Sequence, residues 1–132
     1  MNRILILFLS TMLLACAAVD NSKKSISLDK ALYHYESAIR WADFSAANSL
    51  RRVEGNAVPL TNPEKLKRIK VTGYDIISTV PSEDESTLYI TVKISYYNED
   101  NLKLMSLTDK QAWHFDEKHN AWYISSPLPA FK

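Results

Sequence analysis

Between Thr87 and Tyr97 polar and apolar side chains alternate without a break. Leu88, Ile90, Val92, Ile94 and Tyr96 fall on one side, and Thr87, Tyr89, Thr91, Lys93, Ser95 and Tyr97 on the other. A period of two is that of a β-strand with one buried face. Burying each of the first set contributes on the order of 1.5–3 kcal/mol before chain entropy opposes it. Three further segments repeat the pattern. Residues 67–80 alternate around Gly73, where a glycine inside a strand predicts a bulge. In residues 103–116, Met105, Leu107, Gln111, Trp113 and Phe115 share one face. Residues 121–126 form the last strand, ended by Pro127 and Pro129. Polar turns at 82–85, 98–101 and 116–120 separate them. Strands so closely spaced pair antiparallel, as a meander.

Ahead of the strands the period changes. Leu28, Ala31, Leu32, Tyr35, Ala38, Ile39 and Ala42 recur at helical spacing, with His34, Glu36 and Arg40 largely on the other side. Ser27 is a candidate N-cap and Asp29 suits the positive end of the helix. A break is expected after Trp41. Asp43 would cap a second helix with Phe44, Ala47, Leu50 and Val53 as its stripe, although one helix over 27–53 is also open. Gly55 is the expected C-terminal stop. Residues 56–63 form a loop, and Asn62-Pro63-Glu64 starts a short helical turn with proline in first position. Helices followed by an antiparallel meander make an α+β fold, the helix stripe packing on the Leu88–Tyr96 face.

The first residues follow neither period. Ile4 to Leu14 is apolar except for Ser10 and Thr11, and Arg3 precedes it. That run is short of the roughly 20 residues that span a bilayer and fits the apolar region of a signal peptide. It ends at Cys16, the chain's only cysteine. Two readings are open. Ala15-Cys16-Ala17 fits ordinary A-x-A cleavage, which discards the cysteine. Leu13-Leu14-Ala15-Cys16 resembles the bacterial lipobox, whose cysteine becomes the first mature residue and carries acyl chains. Each buried methylene of such a chain contributes about 0.8 kcal/mol, and stable anchoring needs more than one chain. Ala17 rather than Asp after the cysteine implies, by resemblance to lipoprotein sorting, the outer membrane facing the periplasm. The expected organisation is a signal peptide over 1–15, an acylated cysteine and flexible tether over 16–26, and a domain over 27–132.

Composition excludes several functions. With two glycines, Gly55 and Gly73, the chain has no phosphate-cradling loop or dinucleotide fingerprint. One cysteine allows no internal disulfide and no multi-cysteine metal site. A net charge of +1 argues against nucleic-acid binding. No cofactor is expected.

The order of elements and four stretches, AIRWADFSAANSL, TLYITVKISYY, DKQAWHF and NAWYISSPLPAF, resemble the nuclear-transport-factor-2-like superfamily, also called cystatin-like α+β. The resemblance covers about residues 27–131. It implies N-terminal helices packed on a curved four-stranded antiparallel sheet that wraps them like a cone. Members include enzymes, ligand binders and interaction modules, so fold does not decide function. Enzyme members commonly place an Asp–His pair inside the cone, and no such pair maps onto this chain. Members often dimerise through the sheet, and the outward Tyr89 and Tyr97 leave a homodimer open.

Candidate chemistry has a plain alternative at each place. Tyr33, Tyr96, Gln111, Trp113 and Trp122 line a pocket or simply fill the core. His114, Asp116 and His119 form a zinc or copper site or belong to a solvated turn; the spacing favours the turn. Asp43 is an acid–base group or, by preference, a helix cap. Lys65, Lys67, Arg68 and Lys70, with Arg51 and Arg52, touch headgroups or an acidic partner, or form a solvated face. The expectation is a lipid-anchored, non-enzymatic binding or assembly module with a protein partner in the envelope. A small-ligand carrier and a small hydrolase or isomerase are the rivals.

Overall fold

A computed structural model describes the backbone of residues 2–132 and the side chains of residues 19–132. The side chains of the apolar run and of Cys16, on which the signal-peptide and acylation expectations fall, lie outside the described residues.

Helix α1 spans Asn2–Arg40. Residues 17–26, expected to be a flexible tether, are helical and continuous with it. No proline or glycine interrupts 17–40, and small polar residues do not break a helix that is already propagating. Ser27 is therefore not an N-cap. It lies inside the helix, and its Oγ donates back to the Lys24 carbonyl at 2.8 Å. The predicted stripe faces inward: Ala31, Tyr35, Ala38 and Ile39 are buried, and Leu28, Leu32 and Ala42 pack against them.

The break after Trp41 is a Schellman turn. Asp43 N–H donates to the Ala38 carbonyl at 2.8 Å and Ala42 N–H to the Ile39 carbonyl at 3.0 Å. Ala42 takes the left-handed conformation at φ 55°, a place where glycine is usual. Asp43 then caps α2, Phe44–Ser49, by accepting from Ala46 N–H at 3.0 Å. The expected stripe stops at Leu50. Val53 belongs to a hairpin of β1, Arg52–Val53, and β2, Asn56–Ala57. Gly55 does not end a helix; with Glu54 it forms the two-residue turn, both at positive φ. Pro63 opens the one-turn helix α3, Pro63–Leu66.

The main sheet has four antiparallel strands in the order β3 (Ile69–Pro81), β4 (Thr87–Asn98), β5 (Leu104–Asp116) and β6 (Ala121–Ile124). The register of β3 on β4 shifts between Val71 and Gly73, the expected bulge, and again between Ile76 and Ser78. Ile90, Val92, Ile94 and Tyr96 are buried on the face that meets α1, with Trp113, Trp122 and Ile124 beside them. The C-terminal tail closes one end of this core. The Phe131 ring lies 4.9 Å from that of Tyr96 and 5.0 Å from that of Phe44. The fold is α+β, as expected. No helix among the described residues is long and apolar enough to cross a membrane.

Candidate functional site

Four of the five proposed pocket residues lie in the core. Tyr96, Gln111, Trp113 and Trp122 are buried, whereas Tyr33 is 72 % exposed. Tyr33 is two residues from Tyr35 on α1, so the residue that faces the sheet is Tyr35. The Trp113 ring meets Tyr35 edge-on at 5.5 Å.

The interior is not wholly apolar. Gln111 Nε2 donates to Asp109 Oδ2 at 2.8 Å and to Tyr74 Oη at 2.9 Å, while Trp113 Nε1 donates to Gln111 Oε1 at 3.0 Å. Asp109 shares the inward face with Gln111 because the two are one strand period apart. Its carboxyl is pushed up from the usual carboxylate range by burial, against the stabilising hydrogen bond from Gln111. Burial likewise raises Tyr74 to about 12. The Tyr35 hydroxyl is pushed well up by burial and then by nearby Asp109, and among the described residues it is the buried side-chain polar atom with no hydrogen-bond partner. Asp109 and Tyr74 are absent from the candidate residues of the sequence, where Tyr35 figures only in the helix stripe. The available signal was an acid in phase with Met105, Leu107, Gln111 and Trp113.

The proposed metal ligands do not converge. His114 Nδ1 is 3.1 Å from Thr87 Oγ1 and its Nε2 is 2.8 Å from Ser125 Oγ, and the ring stacks on Tyr123. His119 instead pairs with Asp116, Nδ1 to Oδ2 at 2.6 Å, and this bond holds the Asp116 carboxyl below its usual range. Among the described residues no group of three or more His, Cys, Asp or Glu is placed to hold a metal ion.

Asp43 is engaged as a cap. The basic run is spread over local pairs: Lys67 with Glu64, Arg68 with Asp100 and Lys70 with Glu99. Each is exposed and worth about 0–1 kcal/mol. Arg51 turns inward, donating to the Ser126 carbonyl and to Asn48 Oδ1.

The clefts lie at the surface. A cleft of about 680 Å³ between the β1–β2 hairpin and the β5–β6 turn is lined by Arg52, Gly55, Phe115, Asp116, His119 and Trp122 among others. One of about 230 Å³ lies between Tyr33, Glu36, Ser37, Arg40 and Trp41. Neither is lined by Asp109, Gln111, Tyr74 or Tyr35. Trp41 is 83 % exposed, and Ile76 and Ile77 are 54 % and 60 % exposed on the edge strand. Arg40 ties the smaller cleft to the edge strand, its Nη2 donating to the Tyr74 carbonyl at 2.9 Å. No protein-family profile, curated protein or solved structure matches the chain.

Proposed function

We propose that this chain is a non-enzymatic binding or assembly module of the bacterial cell envelope, held on the outer membrane by acylated Cys16 and facing the periplasm. In this reading the sheet curls around the helices in the cone-like manner of the nuclear-transport-factor-2-like superfamily. The two register shifts of β3 support such a bend, since each bulge turns its strand.

The observation that carries the reading is a contrast. Tyr35, Ile39, Ile94 and Trp113 fill the helix–sheet interface, while Tyr33 and Trp41 stand exposed beside Arg40 and Ile76 and Ile77 stand exposed on the edge strand. A filled interior leaves little room for a ligand, and exposed large apolar side chains, two of them lining one cleft, fit a protein partner. The test is photo-crosslinking in cells from a reactive amino acid placed at Trp41 or Ile77, with Lys118 as the control. The reading predicts one reproducible adduct from the first two positions and none from the third. An adduct of twice the chain's mass identifies a second copy as the partner. Absence of any adduct contradicts the reading.

The rival, a small-ligand carrier or a small hydrolase or isomerase, draws support from the buried Asp109 carboxyl and the unpaired Tyr35 hydroxyl. It predicts that Asp109→Asn abolishes the cellular role of a folded protein, whereas the binding-module reading predicts that the adducts persist in that variant.

A further inference from the structure

We infer that the domain stands on the bilayer on a short helical stalk, with its β5–β6 turn toward the lipid headgroups and Trp41 held away from them. The inference rests on the proposed acylation of Cys16 and adds an orientation to it.

The helix supplies the stalk. Cys16 and Lys24 both lie within α1, and eight residues of α-helix advance about 12 Å. Lys24 is where the helix seizes the domain. Its carbonyl accepts from Trp122 Nε1 at 3.2 Å, and its ammonium lies 4.9 Å from the Phe115 ring centre and 5.6 Å from that of Trp122. Phe115 and Trp122 pair across the start of the β5–β6 turn, with ring centres 5.4 Å apart. The corner of the domain nearest the anchor is therefore that turn. From Lys24 the helix continues to its end at Arg40 and on to Trp41, about 26 Å further along the same axis.

Charge fits the same arrangement. At the anchor-side end Lys24, Lys118 and His119 are met by Asp116, Glu117 and the Glu83, Asp84 and Glu85 of the neighbouring β3–β4 turn, with no cationic surplus. The basic run Lys65–Lys70 leads into the opposite end of the sheet, where Ile69 pairs with Asn98. Attachment then comes from the acyl chains and not from attraction to anionic headgroups, and salt does not reverse it.

The acylated full-length mature protein, purified from membranes, tests this. With Cys16 blocked by its acyl chains, a cysteine introduced as His119→Cys or Trp41→Cys carries the one fluorescent label. Vesicles contain an anionic phospholipid together with phosphatidylcholine spin-labelled on the headgroup. The expected result is quenching several-fold stronger at position 119 than at 41, unchanged from low to high salt. Lys118→Cys repeats the near-side measurement without touching the Asp116–His119 pair. Equal quenching at both ends, or stronger quenching at 41, overturns the orientation while leaving the anchor intact. A purified chain whose intact mass shows no acyl group overturns the anchor and the orientation together.

Discussion

The Tyr35 ring meets the Trp113 ring nearly at right angles, 89° between planes with 5.5 Å between centres, and this contact joins α1 to the centre of the sheet. Both side chains are fully buried. Edge-to-face pairs add about 0.5–1.5 kcal/mol beyond the area they bury. Trp113→Ala removes the largest fully buried side chain and the donor to Gln111 Oε1. The expected loss is about 3–5 kcal/mol, read as a fall in the urea midpoint. A loss below about 1 kcal/mol contradicts a packed helix–sheet interface.

Tyr35 also carries an unpartnered buried hydroxyl. Burying a hydroxyl without a hydrogen bond costs about 1–3 kcal/mol. Tyr35→Phe keeps the ring against Trp113 and removes the oxygen, so the variant is expected to be more stable by on the order of 1 kcal/mol. Chemical denaturation checks this. A variant destabilised by a similar amount means that the hydroxyl has a partner, which favours an occupied interior.

The turn between the first two helices carries a cost of another kind. Ala42 sits at φ 55°, where a Cβ is strained. Ala42→Gly relieves this and is expected to gain on the order of 0.5–1 kcal/mol, less the methyl's contact with the core. Thermal melts of the two proteins decide it, and a lower midpoint for the glycine variant refutes the strain.

Asp109 predicts a pH dependence. Burial raises its folded-state pKa above the unfolded value of about 3.9. Below about pH 4 the carboxyl is neutral in both states. As pH rises from there to the folded pKa, the folded protein holds a proton the unfolded chain has released, so stability falls and then levels off. Asp109→Asn has no such titration. Relative to it, the wild type is expected to lose stability across that window. Asp84, held down at about 2 by Ser82 and Ser86, loses its contribution on the acid side in both proteins and cancels in the difference. Urea midpoints of the pair across the acid-to-neutral range provide the check. A constant difference, or one that moves the other way, contradicts a desolvated carboxyl.

The four strands were legible because each buries one face, so alternation records the sheet directly. The helix stripe from Leu28 to Ala42 was legible for the same reason. The β1–β2 hairpin was not, since its strands are two residues each and too short for a period to form. The polarity of residues 17–26 points to a tether, but it hides a helix that nothing there breaks. The site was less legible than the fold. Tyr33 reads as a pocket residue from its aromatic ring alone, but only Tyr35 lies in the apolar stripe and is buried. An acid in an apolar face, as Asp109 is, reads as an exception to the alternation, and the hydrogen bond from Gln111 is what makes it tolerable there.

The proposed placement in the envelope rests on Cys16, so the mass of the mature N-terminal peptide tests it most directly. Acylation predicts a peptide beginning at Cys16 and heavier by its acyl chains, with Cys16→Ser preventing both processing and incorporation of labelled palmitate. An unmodified peptide beginning at Ala18, as A-x-A cleavage leaves it, contradicts the lipid anchor.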